Sequence, residues 1–240
     1  MKRDRLTAVA RDVVACAACP RLRRYCAAVA ARGKPEFAGW TYWGKPVPGY
    51  GDPEAELLVV GLAPAAHGAN RTGRMFTGDG SGEWLTRAMH RAGFASQPTS
   101  VRRGDGLRLR RAYITSAVHC APPDNKPTRA EIVRCGPYLA RELALLPHVR
   151  VILALGRLGF DACRRVCAAR GADVRRLRFA HGAVYPLGLG APTLIASYHP
   201  SRQNTNTGKL TAPMLDRVFD TARRLLDSPA QAGPGGGDDG

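Results

Sequence analysis

The stretch LLVVGLAPAAHGANRTGRMFTGD, residues 57–79, opens on five apolar residues and continues as a long run of glycine, alanine and small polar residues. Five apolar positions in succession, without the alternation of a half-exposed strand, indicate a strand buried on both faces. Three similar runs follow at 112–116, 150–156 and 192–197. Helical patterns separate them at 82–92, 128–145, 157–170 and 211–227, and another occupies 5–15; Thr128 and Glu131 have the spacing of a capping box. Strands alternating with helices predict an α/β protein with a parallel sheet covered on both faces, because parallel neighbours need a crossover connection. In such sheets ligands bind beyond the carboxyl ends of the strands, which directs attention to the loops after residues 61, 116, 156 and 197. The segment 179–188, with His181-Gly182 between apolar stretches, suggests an added hairpin.

A chain of 240 residues with 45% hydrophobic content can bury one sizeable core, so a single domain is expected over 1–227. The tail 228–240, rich in Gly, Pro and Ala, is expected to be disordered. Lys and Arg number 36 against 19 Asp and Glu, a net charge of +17, which favours polyanionic partners and nucleic acid above all. Arginine enrichment from coding bias is the alternative source of that charge. Near the N-terminus Arg11 and Asp12 interrupt the apolar run before it reaches signal-peptide length. No apolar run approaches the roughly 20 residues of a membrane span. A soluble, cytoplasmic monomer with no membrane partner is therefore expected.

Seven cysteines in a reducing compartment call for metal ligation, catalysis or plain burial rather than disulfides. Cys16 and Cys19 form a C-x-x-C that can offer two thiolates to one centre, and Cys120 and Cys135 are available to complete a set of four. Four thiolates suit zinc or an iron–sulfur cluster. A redox dithiol or ordinary buried cysteines remain open at this point, and Cys26 is a minor rival as fourth ligand. Cys163 and Cys167, four apart on a helical pattern, are read as core residues.

The loop 61–79 has neither the G-x-G-x-x-G nor the Walker spacing, so the usual nucleotide-binding fingerprints are missing. After the last apolar run comes HPSRQNTNTGKLT, residues 199–211, dense in hydrogen-bonding groups and suited to a polar partner. Together with CAACPRL at 16–22, CAPP at 120–123, NKP at 125–127 and Cys135, these loops closely resemble the family 5 uracil-DNA glycosylases. The resemblance covers most of the chain before the tail. It implies a three-layer α/β/α fold on a central four-stranded parallel sheet and a [4Fe-4S] cluster on Cys16, Cys19, Cys120 and Cys135. It also implies excision of uracil from DNA, with hypoxanthine, xanthine and etheno-adducts of cytosine as further substrates.

Many members of that superfamily carry an Asp, Asn or Glu early in the first loop to position water, where this chain has Leu62, Ala65 and Ala66. None of these can act as a base. A dissociative cleavage, leaving an oxocarbenium-like sugar and a base anion, needs mainly electrostatic stabilisation of the two fragments. His199 is assigned to the departing anion, and Asp79 either to water and the cationic sugar or to the cap of the helix beginning near Gly82. Phe76 offers a stacking face, Gly61 and Ala63 allow close backbone approach, and His67 is a candidate contact to base or water. Ser116 stands where many relatives read the base edge with Asn, and Thr115 or Asn125 are possible substitutes. Arg202 and Gln203 are expected to enter the base stack, with Ser201, Asn206 and Lys209 on phosphates and Arg71 and Arg74 adding phosphate contacts. No lysine is indicated as a Schiff-base nucleophile, so base removal without strand cleavage is expected. The rival functions are a non-catalytic iron–sulfur protein that grips damaged DNA, and an iron–sulfur redox or regulatory protein.

Overall fold

The computed structural model describes residues 4–228, so the expected tail lies, apart from Ser228, outside the described residues. The helices are α1 (Leu6–Ala15), α2 (Pro20–Arg32), α3 (Ala69–Thr72), α4 (Gly80–Arg91), α5 (Arg129–Ala144), α6 (Arg157–Ala169), α7 (Arg202–Asn206) and α8 (Ala212–Asp227). The strands are β1 (Tyr50–Gly51), β2 (Leu57–Gly61), β3 (Ala112–Ser116), β4 (Val151–Leu155), β5 (Val184–Pro186) and β6 (Thr193–Ser197). They form one sheet in the order β1-β3-β2-β4-β6-β5.

The four central strands are parallel, as their apolar runs require, and nearly every residue in them is buried. The sheet is nevertheless six-stranded and mixed, not four-stranded, because β1 and β5 add short antiparallel edges. Neither edge could be read as an apolar run: one is two residues long beside Pro48 and Gly49, the other three residues ending in Pro186. Short strands and proline are also what blunt a sheet edge against further pairing. The hairpin suspected at 179–188 is formed instead between β5 and β6, and His181 lies ahead of it. There His181 Nδ1 accepts the Tyr198 backbone N–H at 3.1 Å and the two rings stack at 5.0 Å, which ties down the exit of β6.

Successive side chains leave a strand on opposite faces, and the core divides accordingly. Leu57, Val59, Ile114, Leu153 and Ile195 pack under α4 and α8 against Leu85, Met89, Val218 and Phe219. Leu58, Val60, Tyr113, Ile152 and Leu194 face α5 and α6, meeting Leu139, Leu143, Phe160, Cys163 and Cys167. Each such buried aliphatic side chain contributes about 1.5–3 kcal/mol relative to exposure. Cys163 and Cys167 are thus core residues, as expected. The capping box of α5 is present, with Thr128 Oγ1 accepting from Glu131 N and Glu131 accepting from Thr128 N.

Helix α2 was hidden in the sequence by its arginines. It starts with Pro20 at its first position, where a missing N–H costs nothing, and buries Leu22, Cys26 and Val29 at helical spacing. Leu22 and Cys26 join Val118, Cys120, Ala121 and Ile132 in a small satellite core beside the C-x-x-C. No described helix is long and apolar enough to cross a membrane.

Candidate active site

Loops from the carboxyl ends of β2 and β6 enclose one wall each of an open cavity of about 1220 Å3. Phe76 and His199 face each other in it, with ring centroids 5.8 Å apart and planes inclined by 31°. Both rings can therefore touch one flat ligand. The Phe76 ring rests on Gly61: a Cβ there would stand 2.7 Å from Cε2 and Cζ. Gly61 does not line the cavity, so its expected contact to a ligand is corrected to a seat for Phe76. Phe76 itself has φ of 48°, a left-handed conformation that costs a non-glycine residue about 1–3 kcal/mol. Buried Arg74 holds the turn beyond it, donating to Thr77 Oγ1 at 2.9 Å and to Asp105 at 2.9 and 2.7 Å. Arg74 is thus a framework residue and not a phosphate contact.

His199 follows β6 by two residues. Its carbonyl accepts from Asn204 Nδ2 at 2.8 Å, which fixes the backbone, while its ring makes no hydrogen bond to another described residue. Burial lowers its pKa to about 4, so the ring is a neutral imidazole with a donor to spare. Of the two alternatives for Asp79 the cap is present, with Oδ1 accepting from Gly82 N at 2.8 Å; the residue also lines the cavity. Burial raises its pKa, an effect opposed by the N–H groups of Gly82 and Ser81 and by the charges of Arg202 and Arg71. The other carboxylate oxygen packs on Gly68, where a Cβ would collide with it at 1.8 Å.

Ala63, Ala65, Ala66 and His67 line the same cavity. His67 Nδ1 lies 3.0 Å from Tyr42 Oη, and burial, with the neighbouring Lys34, Arg32 and Arg71 charges, lowers its pKa. Ser116 does not belong here. It is buried, and its hydroxyl donates to the Val118 carbonyl at 2.8 Å, so its expected role in reading a base edge is corrected to a turn-closing bond. Thr115 cannot substitute, being bound to Glu142 at 2.6 Å on the opposite face of the sheet. Asn125 does reach the cavity wall.

At the mouth, Ser201 caps α7, and exposed Arg202 and Gln203 project from its first turn into the rim. Asn206 and Lys209 are exposed but lie outside the lining; Lys209 Nζ sits 5.0 Å over the Tyr198 ring. Arg71 is not a free surface cation. It is buried in the cavity wall, donating to the carbonyls of His67 at 2.8 Å and Gly78 at 2.7 Å. Its guanidinium packs on Phe37 and Trp40, which the sequence reading missed altogether. The signal was a non-periodic segment, residues 35–43, carrying four aromatics between glycines and prolines.

Cys16, Cys19, Cys120 and Cys135 line a second, small cavity together with His119, Arg134 and Tyr138. The fold gathers them from the end of α1, the start of α2, the loop after β3 and the second turn of α5. All four are free thiols. His119 N donates to Cys135 Sγ at 3.4 Å, and Arg134 reaches Cys19 Sγ at 3.9 Å, so the pocket supplies donors and positive charge for thiolate sulfur. Burial pushes the Cys135 thiol up to about 12. Among the described residues no three His, Cys, Asp or Glu side chains converge on a point that would hold one ion. Four sulfurs lining one pocket are a donor set of the kind that zinc or an iron–sulfur cluster takes. Cys26 is not in the lining; it is buried beside Cys120 and donates to the Ala121 carbonyl at 3.6 Å.

A family model described as the uracil DNA glycosylase superfamily matches residues 48–223. The chain is 50% identical over 211 residues to a type-5 uracil-DNA glycosylase of Mycobacterium bovis, covering 88% of this chain and 78% of that protein. It is 50% identical over 218 residues to a type-5 uracil-DNA glycosylase of Thermus thermophilus, covering 91% and 97%. A type-4 uracil-DNA glycosylase of Pyrobaculum aerophilum is 32% identical over 158 residues, covering 65% and 71%.

Proposed function

The chain belongs to the uracil-DNA glycosylase superfamily, and from that premise we propose that it hydrolyses the bond between uracil and deoxyribose in DNA, leaving an abasic site. The observation that carries this is the Phe76–His199 pair, an aromatic face and an uncommitted imidazole set to hold one flat ring. A base flipped out of the stack rests on Phe76 while His199 donates to a base oxygen as negative charge develops there. Asp79 supplies the carboxylate on the cavity wall, placed to orient water or to face the cationic sugar. Its depressed acidity does not disqualify it, since a group that stabilises charge need not abstract a proton. Arg202 and Gln203 at the mouth are placed to fill the space the flipped base leaves.

Acceptance of other deaminated bases is part of the proposal. Small residues at 63, 65 and 66 and a cavity above the roughly 300–1,000 Å3 typical of ligand pockets leave room for purines. Uracil-containing, hypoxanthine-containing and xanthine-containing oligonucleotides, incubated with the protein and treated with alkali, are expected to break at the base-free site. Intact uracil substrate after prolonged incubation overturns the enzyme assignment.

A [4Fe-4S] cluster on Cys16, Cys19, Cys120 and Cys135 is also proposed. When bound it supplies a rigid cross-link between α1, α2, α5 and the loop after β3, and hydrolysis of a glycosidic bond makes no demand on its redox chemistry. Cys120 leads directly into Pro122 and Asn125 on the cavity rim, so the cysteine site and the base pocket share one loop. Iron and acid-labile sulfide should co-purify with the chain. Alanine at Cys16 or Cys135 should abolish both signals, while Cys163→Ala should keep them; retention of full iron in the first two variants overturns the ligand set.

A further inference from the structure

We propose that Trp40 is a second stacking face in the cavity, taking an unpaired base of the bound strand next to the nucleotide held at Phe76 and His199. The proposal rests on the DNA reading above and concerns a residue 36 positions away from Phe76 in the chain. A nucleobase at Phe76 and His199 occupies only part of a space of about 1220 Å3. Elsewhere on the same wall stands a built aromatic platform. The Arg71 guanidinium lies 3.7 Å from the Phe37 ring centroid and 4.2 Å from that of Trp40, and both rings line the cavity.

Arg71 cannot swing away, because its Nε and Nη2 are bound to the carbonyls of His67 and Gly78. The indole is therefore braced on one side and 39% exposed on the other, the largest exposed aromatic surface at the site. A pre-ordered ring loses little freedom on binding, and every base offers it a π-face. Lys126 lines the cavity wall and is exposed, so a cation for a flanking phosphate is in place, whereas Lys34 on the same wall is paired with Glu36 at 3.5 Å. Trp43, by contrast, is half-buried with its Nε1 bound to the Pro46 carbonyl, and Trp84 is half-buried in α4. A base that remains paired and stacked in a duplex cannot reach Trp40. The contact is accordingly specific to single-stranded or locally opened DNA.

The test uses the full chain and a single-stranded oligonucleotide carrying a stable abasic analogue, which binds without turnover. Tryptophan emission is expected to fall on saturation, and Trp40→Phe should abolish that quenching while retaining wild-type Kd. Trp40→Ala should weaken Kd by about 5- to 160-fold, the equivalent of one base stack. The same variant on duplex DNA should bind as the wild type does, which also verifies that it folds. On single-stranded uracil substrate the loss should fall on KM and spare kcat. Quenching that persists in Trp40→Phe, an unchanged Kd in Trp40→Ala, or an equal loss on single and double strands overturns the proposal. A chain that releases no uracil yet shows Trp40-dependent quenching overturns the glycosylase assignment and leaves the stacking face standing.

Discussion

Replacing His199 by alanine removes the one uncommitted ring donor that faces Phe76 across 5.8 Å. The loss should be large for three reasons visible in the structure. The imidazole is half-buried in the cavity wall, so its hydrogen bond to a developing anion forms largely out of bulk water. It makes no competing bond to another described side chain. The neighbouring amide, Asn204 Nδ2, is already committed to the His199 carbonyl at 2.8 Å. Deleting one such preorganised donor costs about 10²–10³ in kcat, or about 2.7–4 kcal/mol of transition-state stabilisation. Single-turnover excision from a uracil oligonucleotide, scored as alkali-labile product, measures that step apart from product release. His199→Gln, whose amide can donate, should recover part of the rate.

The pH profile sharpens the test. With the pKa lowered to about 4 by burial, the imidazole is neutral throughout the neutral range and donates from the same form. The wild-type rate should therefore show no histidine inflection near the ordinary value of about 6.5. An acid limb there that vanishes in His199→Ala, or a His199→Ala variant at wild-type rate, would refute the reasoning.

Three further outcomes follow from the packing. Gly61→Ala places a methyl 2.7 Å from the Phe76 ring and should displace it, lowering kcat/KM by about 5- to 160-fold through the lost base stack while the melting transition shifts modestly. Burial pushes the Asp105 carboxyl up, but the Arg74 guanidinium and the N–H groups of Val101, Arg102 and Leu107 more than offset it, leaving it well below the usual carboxylate range. Asp105→Asn should strand a buried guanidinium and cost about 3–5 kcal/mol in denaturant unfolding, and the wild type should lose this contribution as pH falls below the ordinary Asp value. Glu142 is buried between β3 and α5 with its pKa raised from 4.5 to about 7. Across that window the folded state keeps a proton that the unfolded state releases, so stability should fall with rising pH by up to about 3 kcal/mol. Denaturant midpoints of Glu142→Gln should lack this decline; an equal decline in the variant refutes the assignment.

The central strands and five of the six long helices among the described residues were legible in the chain because burial on both faces and helical spacing are local patterns. β2 and β3 end at residues 61 and 116, where their apolar runs end. The edge strands were not legible, since two or three residues beside proline carry no pattern, and α2 was masked by arginines on its exposed face. The site was legible in its loops but not in its contacts. Ser116 stands at a promising strand end, yet nothing local says that its hydroxyl turns to the Val118 carbonyl. Gly61 announces a close approach without saying that the approaching group is Phe76. Arg71 and Arg74 look like surface charges until their partners, Gly78, Phe37 and Asp105, come into view.

The sequence by itself determined the α/β class, the parallel core strands, the two motif loops and the family, because apolar periodicity and motif spacing are properties of neighbouring residues. Only the tertiary structure decided that Phe37, Trp40, Arg71, Phe76, Asp79 and His199 share one cavity, and that four cysteines from distant segments share another. Those placements depend on how loops fold over one another, where hydrogen bonds, ring contacts and excluded volume between remote parts of the chain select the conformation.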